Sequence, residues 1–185
     1  MLFRSFEAAL KKNGINPKFL ADIEKKDPDF YNNIVLGKIR EKAKQITQAQ
    51  RSFFEEGKLG MIIDGTGDDY SKIASQKKKA EELGYDCYMV FVNTSLEVAI
   101  ERNQKRDRTL PDNVVQEIWK LCQENMGKFQ NLFGAANFRI VDNTVYKPVD
   151  SYIEKAVSHF IHDAIKNPIG KKWIEYAKLI KKTSN

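Results

Sequence analysis

The chain has 185 residues, of which 42% are hydrophobic and 30% are charged, and its formal net charge is +6. This length and balance fit one folded domain with a core of its own, and they exclude long disorder as the main state. No apolar run approaches the ~20 residues that a spanning helix needs, and the first residues lack a signal-peptide pattern. We therefore expect a cytoplasmic protein that does not engage a membrane.

Few residues are suited to disulfide or zinc chemistry. The two cysteines, Cys87 and Cys122, lie in an apolar run and on a predicted helix, and they form no disulfide framework or metal motif. The lysines gather at 77–79 and 171–182 on segments with helical periodicity, where charge usually solvates the outer face of a helix. Nucleic acid is therefore an open partner class but not the favoured one.

The first 56 residues show helical periodicity and predict a helical lead-in rather than a second domain. Asp27 and Pro28 form a helix start, with the aspartate as N-cap and the proline at the first helical position. The apolar stripe of this helix runs from Tyr31 to Phe53 and ends before Gly57. Gly37 is expected to loosen the middle of the helix.

Three short apolar segments predict the strands of a parallel sheet, in an α/β fold with roughly seven or eight helices. Asp68 or Asp69 caps a helix that Gly84 ends, and this helix would form a β-α-β crossover between the first two strands. Thr94 and Glu97 predict a capping box for the following helix. The predicted strands are Leu59–Ile63, Cys87–Val92 and Phe138–Val141.

Polar residues follow each predicted strand, which favours a ligand site at the carboxyl edge of the sheet. A carboxylate there can hold a water on Mg²⁺ or take a proton from a hydroxyl group. We assign such a role to Asp64, because an N-cap four residues before the helix would be redundant. Asp68 and Asp69 are interpreted as helix caps, and Asp142–Asn143 as a turn. The three strand ends are Asp64-Gly65-Thr66, Asn93-Thr94 and Asp142-Asn143.

A cationic segment around Arg102, Arg106 and Arg108 is the second candidate site. Residues four apart share a helix face, so Arg102 and Arg106 are expected to project together. Guanidinium groups suit phosphate oxygens, but a solvent-exposed helix face would account for the same arginines. Both interpretations stay open at this point.

The ordered set of segments resembles the P-loop kinases of the zeta-toxin-like group, including related bacteriophage proteins. The segments are I-I-D-G-T-G, V-F-V-N-T-S, R-N-Q-K-R-D-R and a helix that starts with L-P-D, and they cover roughly residues 59–143. The helical lead-in is similar to an insert of that group. The resemblance implies ATP and Mg²⁺ as cofactors, with Asp64 and Thr66 at the catalytic position and Asp64 near the metal. It also implies that Arg102, Arg106 and Arg108 form a lid over the ATP phosphates.

This chain departs from that group because no G-x-x-x-x-G-K-[ST] motif occurs in it. The backbone cradle and the lysine that hold the β- and γ-phosphates are therefore missing. The resemblance implies an incomplete P-loop, three-layer fold in one domain over 1–185. Its parts would be a helical insert at 1–56, an α/β core with the lid at 57–145, and C-terminal helices at 146–185.

The function implied by the resemblance is transfer of a phosphoryl group to a hydroxyl of a small molecule or nucleotide. We expect a truncated and inactive form here, either a kinase fragment or a pseudo-kinase. The alternative is a non-catalytic protein that binds nucleic acid or a partner chain on a degenerate kinase scaffold. An incomplete sheet would also expose an edge, which favours self-association.

Overall fold

The structure, a computed structural model, describes residues 5–106, 109–145 and 150–183. Contacts within the chain divide it into two compact units. The helical unit comprises Met1–Gly65 together with Asn103–Leu110, and the α/β unit comprises Thr66–Arg102 together with Pro111–Asn185. Within the described ranges, no helix combines the length and the apolar character that crossing a membrane requires.

The described residues of the helical unit form helices, as their periodicity predicts, and they cluster as a compact unit of their own. The Asp27 carboxylate accepts a hydrogen bond from the Phe30 amide at 2.9 Å, so the predicted cap is confirmed. In chain order the elements are α1 (Ser5–Lys12), a 3₁₀ turn (Pro17–Phe19), α2 (Leu20–Lys26), α3 (Pro28–Phe30), a π-helical stretch (Tyr31–Arg40) and α4 (Glu41–Glu56).

The π-helical stretch carries part of the core of this unit. Val35 and Ile39 are buried against Leu10 and Leu20, with Tyr31, Phe6 and other apolar side chains packed around them. A Cβ atom at Gly37 would lie 3.1 Å from the carbonyl oxygen of Asn32, five residues earlier. The helix around Gly37 is a wider π-helix, in which backbone bonds join residues five apart.

The α/β unit contains a two-stranded parallel sheet, in which Met89 lies opposite Phe138 and Asn93 lies opposite Asp142. Parallel strands need a crossover connection, and two helices provide it between β1 and β2. The elements are α5 (Tyr70–Glu82), β1 (Met89–Asn93), α6 (Leu96–Gln104), α7 (Asp112–Phe133), β2 (Phe138–Asp142), α8 (Asp150–His162) and α9 (Pro168–Thr183).

The core of the α/β unit is aromatic and joins one face of the sheet to α7. Phe91, Phe129 and Phe138 are buried together, and the rings of Phe91 and Phe138 lie 6.2 Å apart. Tyr70 of α5 stacks on Phe129 at 5.6 Å. The predicted apolar stripe of α7 is confirmed as core, because Cys122 and Phe129 both pack in this cluster.

The mixed helix and strand content is confirmed, but the predicted strand over Leu59–Ile63 is wrong. The described residues form two strands, and 59–63 is irregular with exposed Leu59, Ile62 and Ile63 side chains. A strand is stabilised by hydrogen bonds to a neighbouring strand, and no described segment pairs with this one. The predicted crossover from 59–63 to β1 is wrong for the same reason.

Three of the four predicted helix caps are observed, including the Asp27 cap of the helical unit. Asp69 caps α5, since its carboxylate accepts a hydrogen bond from the Lys72 amide at 2.9 Å, and Gly84 follows the helix with φ of 97°. The Thr94 cap is wrong, because the Ser95 hydroxyl accepts the bond from the Val98 amide instead. Hydrogen bonds from its own backbone amide and from Ser95 lower the pKa of Glu97 below its ordinary value.

Candidate functional site

The carboxyl ends of β1 and β2 lie side by side, as predicted for two of the three strand ends. Asn93 and Asp142 are in register, and the Asn143 amide donates a hydrogen bond to the Asn93 carbonyl at 2.8 Å. The Asp142 carboxylate accepts a bond from the Thr144 amide at 2.9 Å, which confirms the predicted turn at Asp142–Asn143. This edge of the sheet therefore carries polar side chains from both strands.

Helix α7 fixes the backbone and the side chain at the end of β1. The Trp119 indole donates a hydrogen bond to the Thr94 carbonyl at 2.9 Å. The Gln123 amide donates to the Asn93 side-chain oxygen at 2.8 Å. The sequence predicts only the apolar stripe of this helix, and the role of Gln123 was not predicted.

The same helix holds the turn that begins at Thr66. Asn125 is 4% exposed, and its amide donates hydrogen bonds to the carbonyls of Gly67 at 3.2 Å and Asp68 at 2.8 Å. Gly67 has φ of 83°, and an added Cβ atom would lie 3.6 Å from the Phe91 ring. The sequence signal for Asn125 is that asparagine, a poor helix former, lies between core residues in the long apolar stripe of α7.

Thr66 and Cys122 are joined in this turn. The Cys122 thiol donates a hydrogen bond to the Thr66 carbonyl at 2.9 Å, and the Thr66 hydroxyl donates to the Asp68 carboxylate. Burial raises the pKa of the Cys122 thiol, and the negative charge of Asp68 adds to the increase. The thiol is therefore a neutral packing and donor group at neutral pH, and the Thr66 hydroxyl is already committed to Asp68.

The other predicted site residues lie in the irregular segment before Thr66 and around the end of α6. Asp64 is exposed in the irregular segment of the helical unit, whereas Thr66 belongs to the α/β unit. Arg102 is partly buried within α6, but Arg106 lies beyond its last residue, Gln104. The prediction that Arg102 and Arg106 share a helix face is wrong, because the helix ends between them. Arg108 lies outside the described residues.

The cationic segment is closed by Asn103, which was not predicted to have a role. Asn103 is 5% exposed, and its side-chain amide donates to the Leu110 carbonyl at 2.7 Å. Its side-chain oxygen accepts a bond from the Leu110 amide at 3.0 Å. The Asn103 side chain thus bonds to both the carbonyl and the amide of Leu110. Asn103 therefore holds the two ends of the cationic segment together.

Binding of Mg²⁺ and ATP depends on metal-ligating side chains and on a loop that holds the phosphates. The described residues contain no group of three or more His, Cys, Asp or Glu side chains that could hold a metal ion. Mg²⁺ can bind through one carboxylate when substrate phosphates and water complete its shell, and the exposed Asp64 could supply that carboxylate. A triphosphate finds no cradle, because the chain has no G-x-x-x-x-G-K-[ST] loop. The described residues therefore offer a single carboxylate for Mg²⁺, and the sequence lacks the loop in which P-loop proteins hold a triphosphate.

Comparison with protein families, with curated proteins and with solved structures finds no match to this chain.

Proposed function

We propose that the chain is built on the scaffold of a phosphotransferase similar to the zeta-toxin-like P-loop kinases, and that its ligand edge is formed by the carboxyl ends of β1 and β2. The observation that supports this proposal is the in-register pair Asn93 and Asp142, next to backbone that Gln123 and Asn125 of α7 hold in place. Ligands of open α/β sheets bind at this edge of parallel strands.

In this proposal Asp64 accepts a proton from a ligand hydroxyl or holds a cation. Thr66, two residues further along the chain, belongs to the same catalytic position. Arg102, Arg106 and Arg108 bind phosphate oxygens, for which guanidinium groups are suited. In a complete kinase, ATP would supply the transferable phosphoryl group and Mg²⁺ would neutralise charge on its phosphate oxygens. Because the phosphate cradle is missing from this chain, we expect weak binding of small phosphorylated ligands and no phosphoryl transfer by this chain alone.

Titration of ¹⁵N-labelled protein with ADP and with inorganic phosphate, each with and without Mg²⁺, tests this proposal residue by residue. The expected result is a set of amide shifts at 64–69, 93–94 and 102–106, with millimolar affinity. Asp64→Asn and Arg102→Ala should weaken binding severalfold. Asp29→Asn is the matched control, because Asp29 is an exposed carboxylate on α3.

Two results would refute the phosphotransferase proposal. One is an absence of amide shifts at these three segments at ligand concentrations up to roughly 10 mM. A site with the expected millimolar affinity would be mostly occupied at that concentration. The other is binding that Asp64→Asn and Arg102→Ala leave unchanged relative to Asp29→Asn. ATP turnover by the chain that is lost in Asp64→Ala would instead contradict the expected inactivity.

A second candidate is a non-catalytic protein that binds nucleic acid, and the lysines of α9 favour it. All five are exposed on one helix, at Lys171, Lys172, Lys178, Lys181 and Lys182. Binding to a labelled oligonucleotide should then fall steeply with salt, and Lys178→Ala with Lys182→Ala should weaken it. Arg102→Ala should leave such binding unchanged, and a loss of binding in Arg102→Ala would assign the phosphate contacts to the cationic segment instead.

A further inference from the structure

The start of helix α9 is fixed to the end of α5 by a dense set of hydrogen bonds. The Asp86 carboxylate accepts bonds from the amides of Lys166 at 2.7 Å and Asn167 at 3.0 Å. The Asn167 side-chain amide donates to the carbonyls of Glu81 at 2.8 Å and Tyr85 at 3.2 Å. Its oxygen accepts a bond from the Ile169 amide at 2.9 Å and so caps α9.

Two glycines complete this attachment. A Cβ atom at Gly170 would lie 2.3 Å from the Gly84 carbonyl oxygen, and one at Gly84 would lie 2.9 Å from the Gly170 amide nitrogen. The backbones therefore meet at a distance that side chains would prevent. Together with Asp86 and Asn167, this contact sets the direction in which α9 leaves the α/β unit.

Beyond this attachment, α9 presents an apolar stripe to solvent. The residues Ile169, Trp173, Tyr176 and Ile180, which we call the α9 seam, are spaced four, three and four apart. Their exposed fractions are 52%, 42%, 64% and 48%. Residues with this spacing lie on one face of a helix. No residue of α9 is buried, although Gly170, Ile174 and Ala177 on an adjacent side are partly covered.

The spacing and the residue types of the seam indicate another helix as its occupant. The four-three-four spacing is that of a seam that packs against one helix or into a helical groove, and the exposed Leu179 extends the apolar surface beside it. Tyrosine and tryptophan are enriched among the residues that dominate protein interfaces. Trp173 and Tyr176 occupy the two middle positions of the seam, where a partner would bury them most completely.

The charge beside the seam favours one class of partner. The helix has five lysines and one glutamate, and Lys172 is the lysine that flanks the seam. Lys172 lies beside the seam between Tyr176 and Leu179, so a second copy of α9 would bring like charges to the edge of the contact. A partner with carboxylates beside an apolar stripe has the complementary pattern.

We infer that the α9 seam is a docking surface for an acidic amphipathic helix of a protein partner, with Trp173 and Tyr176 as its anchors and Lys172 as the charge that selects the partner. This inference does not depend on the proposed phosphotransferase function, because α9 contains none of the residues assigned to the ligand edge. The hydrogen bonds of Asp86 and Asn167 at the start of α9 fix the direction of the seam before a partner binds.

The test uses the full chain and a fluorescein-labelled designed peptide of about three heptads, with leucine at a and d and glutamate at e and g. A second peptide with lysine at e and g is the charge control. Fluorescence anisotropy should give micromolar binding of the acidic peptide, weakened by salt, and at least about tenfold weaker binding of the basic peptide. Trp173→Ser and Tyr176→Ser should each weaken binding by about tenfold or more.

Phe53→Ser is the matched control variant, because Phe53 is a 70% exposed aromatic residue on α4. Circular dichroism should show that all three serine variants keep the fold, since each replaced side chain is exposed. Lys172→Glu should narrow the preference for the acidic peptide, because it lowers the net charge of α9 from +4 to +2.

Three results would overturn the inference. The first is acidic-peptide binding that Trp173→Ser and Phe53→Ser affect equally. The second is failure to bind the acidic peptide while the chain binds anionic phosphatidylglycerol vesicles through Trp173, which would assign the seam to a lipid surface. The third is a homodimer in sedimentation velocity that Tyr176→Ser dissociates, which would assign the seam to a second copy.

Discussion

Alanine substitution of two helical glycines should change stability in opposite directions. Gly127 lies exposed in the interior of α7, and an added Cβ atom would meet nothing within 4 Å. Gly127→Ala should therefore stabilise the α/β unit by about 0.5–1 kcal/mol, the intrinsic preference of a helix for alanine. Gly170 is also helical, so helix propensity alone predicts the same sign for Gly170→Ala.

The close contact with Gly84 reverses that sign. The new methyl carbon would lie 2.3 Å from the Gly84 carbonyl oxygen and 3.0 Å from a methyl carbon of Ile165, so the start of α9 must move. Overpacking of this kind costs about 1–3 kcal/mol, and displacement also strains the bonds of Asn167 and Asp86. The gain in helix propensity offsets at most about 1 kcal/mol, so Gly170→Ala should destabilise by about 1–3 kcal/mol.

Thermal unfolding followed by tryptophan fluorescence measures this difference. Both tryptophans, Trp119 and Trp173, belong to the α/β unit and report on it. Each kcal/mol should move Tm by about 2–4 °C in a chain of this size. Gly127→Ala should raise Tm and Gly170→Ala should lower it. An equal rise in Tm for both variants would show that α9 does not rest on Gly84 in solution.

Three further predictions follow from the hydrogen bonds and from the half-buried Cys87 thiol. Asn125→Ala should lower the free energy of unfolding, measured in urea, by about 1–3 kcal/mol, because it leaves the Gly67 and Asp68 carbonyls without their donor. The exposed Asn113→Ala is the control, and equal stability of the two variants would contradict this role of Asn125. Asn103→Ala should speed hydrogen exchange of the Leu110 amide by about tenfold or more, the effect of losing roughly 1.4 kcal/mol of protection, whereas unchanged exchange would show that Asn103 does not close the cationic segment. Burial raises the pKa of Cys87 from 9.0 to about 11, so its contribution to stability is complete below pH 9 and is lost as the pH rises towards 11. Unfolding free energies across this range should fall more steeply for the wild type than for Cys87→Ala, and parallel curves would argue against a buried neutral thiol.

The sequence predicted the features that depend on neighbouring residues. Asp27, Asp69 and Gly84 act through bonds and backbone angles within a few positions, and each is observed in the predicted role. The segment Leu59–Ile63 has the composition of a buried strand, yet a strand also needs a partner that composition does not provide.

The polar contacts of α7 could not be predicted for a related reason. Asn125 bonds to carbonyls 57 and 58 residues earlier in the chain, and Gln123 bonds to Asn93. Sequence periodicity identifies which face of α7 is apolar, but it does not show which polar side chain beside that face meets a distant turn. The end of α6 at Gln104 likewise separated two arginines that sequence spacing alone had placed together.

The π-helical stretch Tyr31–Arg40 makes the long helix of the helical unit tolerant of a change in length. A wider turn accommodates one residue more than a regular α-helical turn over the same rotation. Removal of a single residue near Gly37 would therefore let one wide turn of the stretch relax to α-helical geometry, while α4 keeps its orientation about the helix axis. The same deletion within α4 would rotate every later side chain of that helix by about 100°. A change of one residue at Gly37 should therefore disturb the orientation of α4 less than the same change within α4.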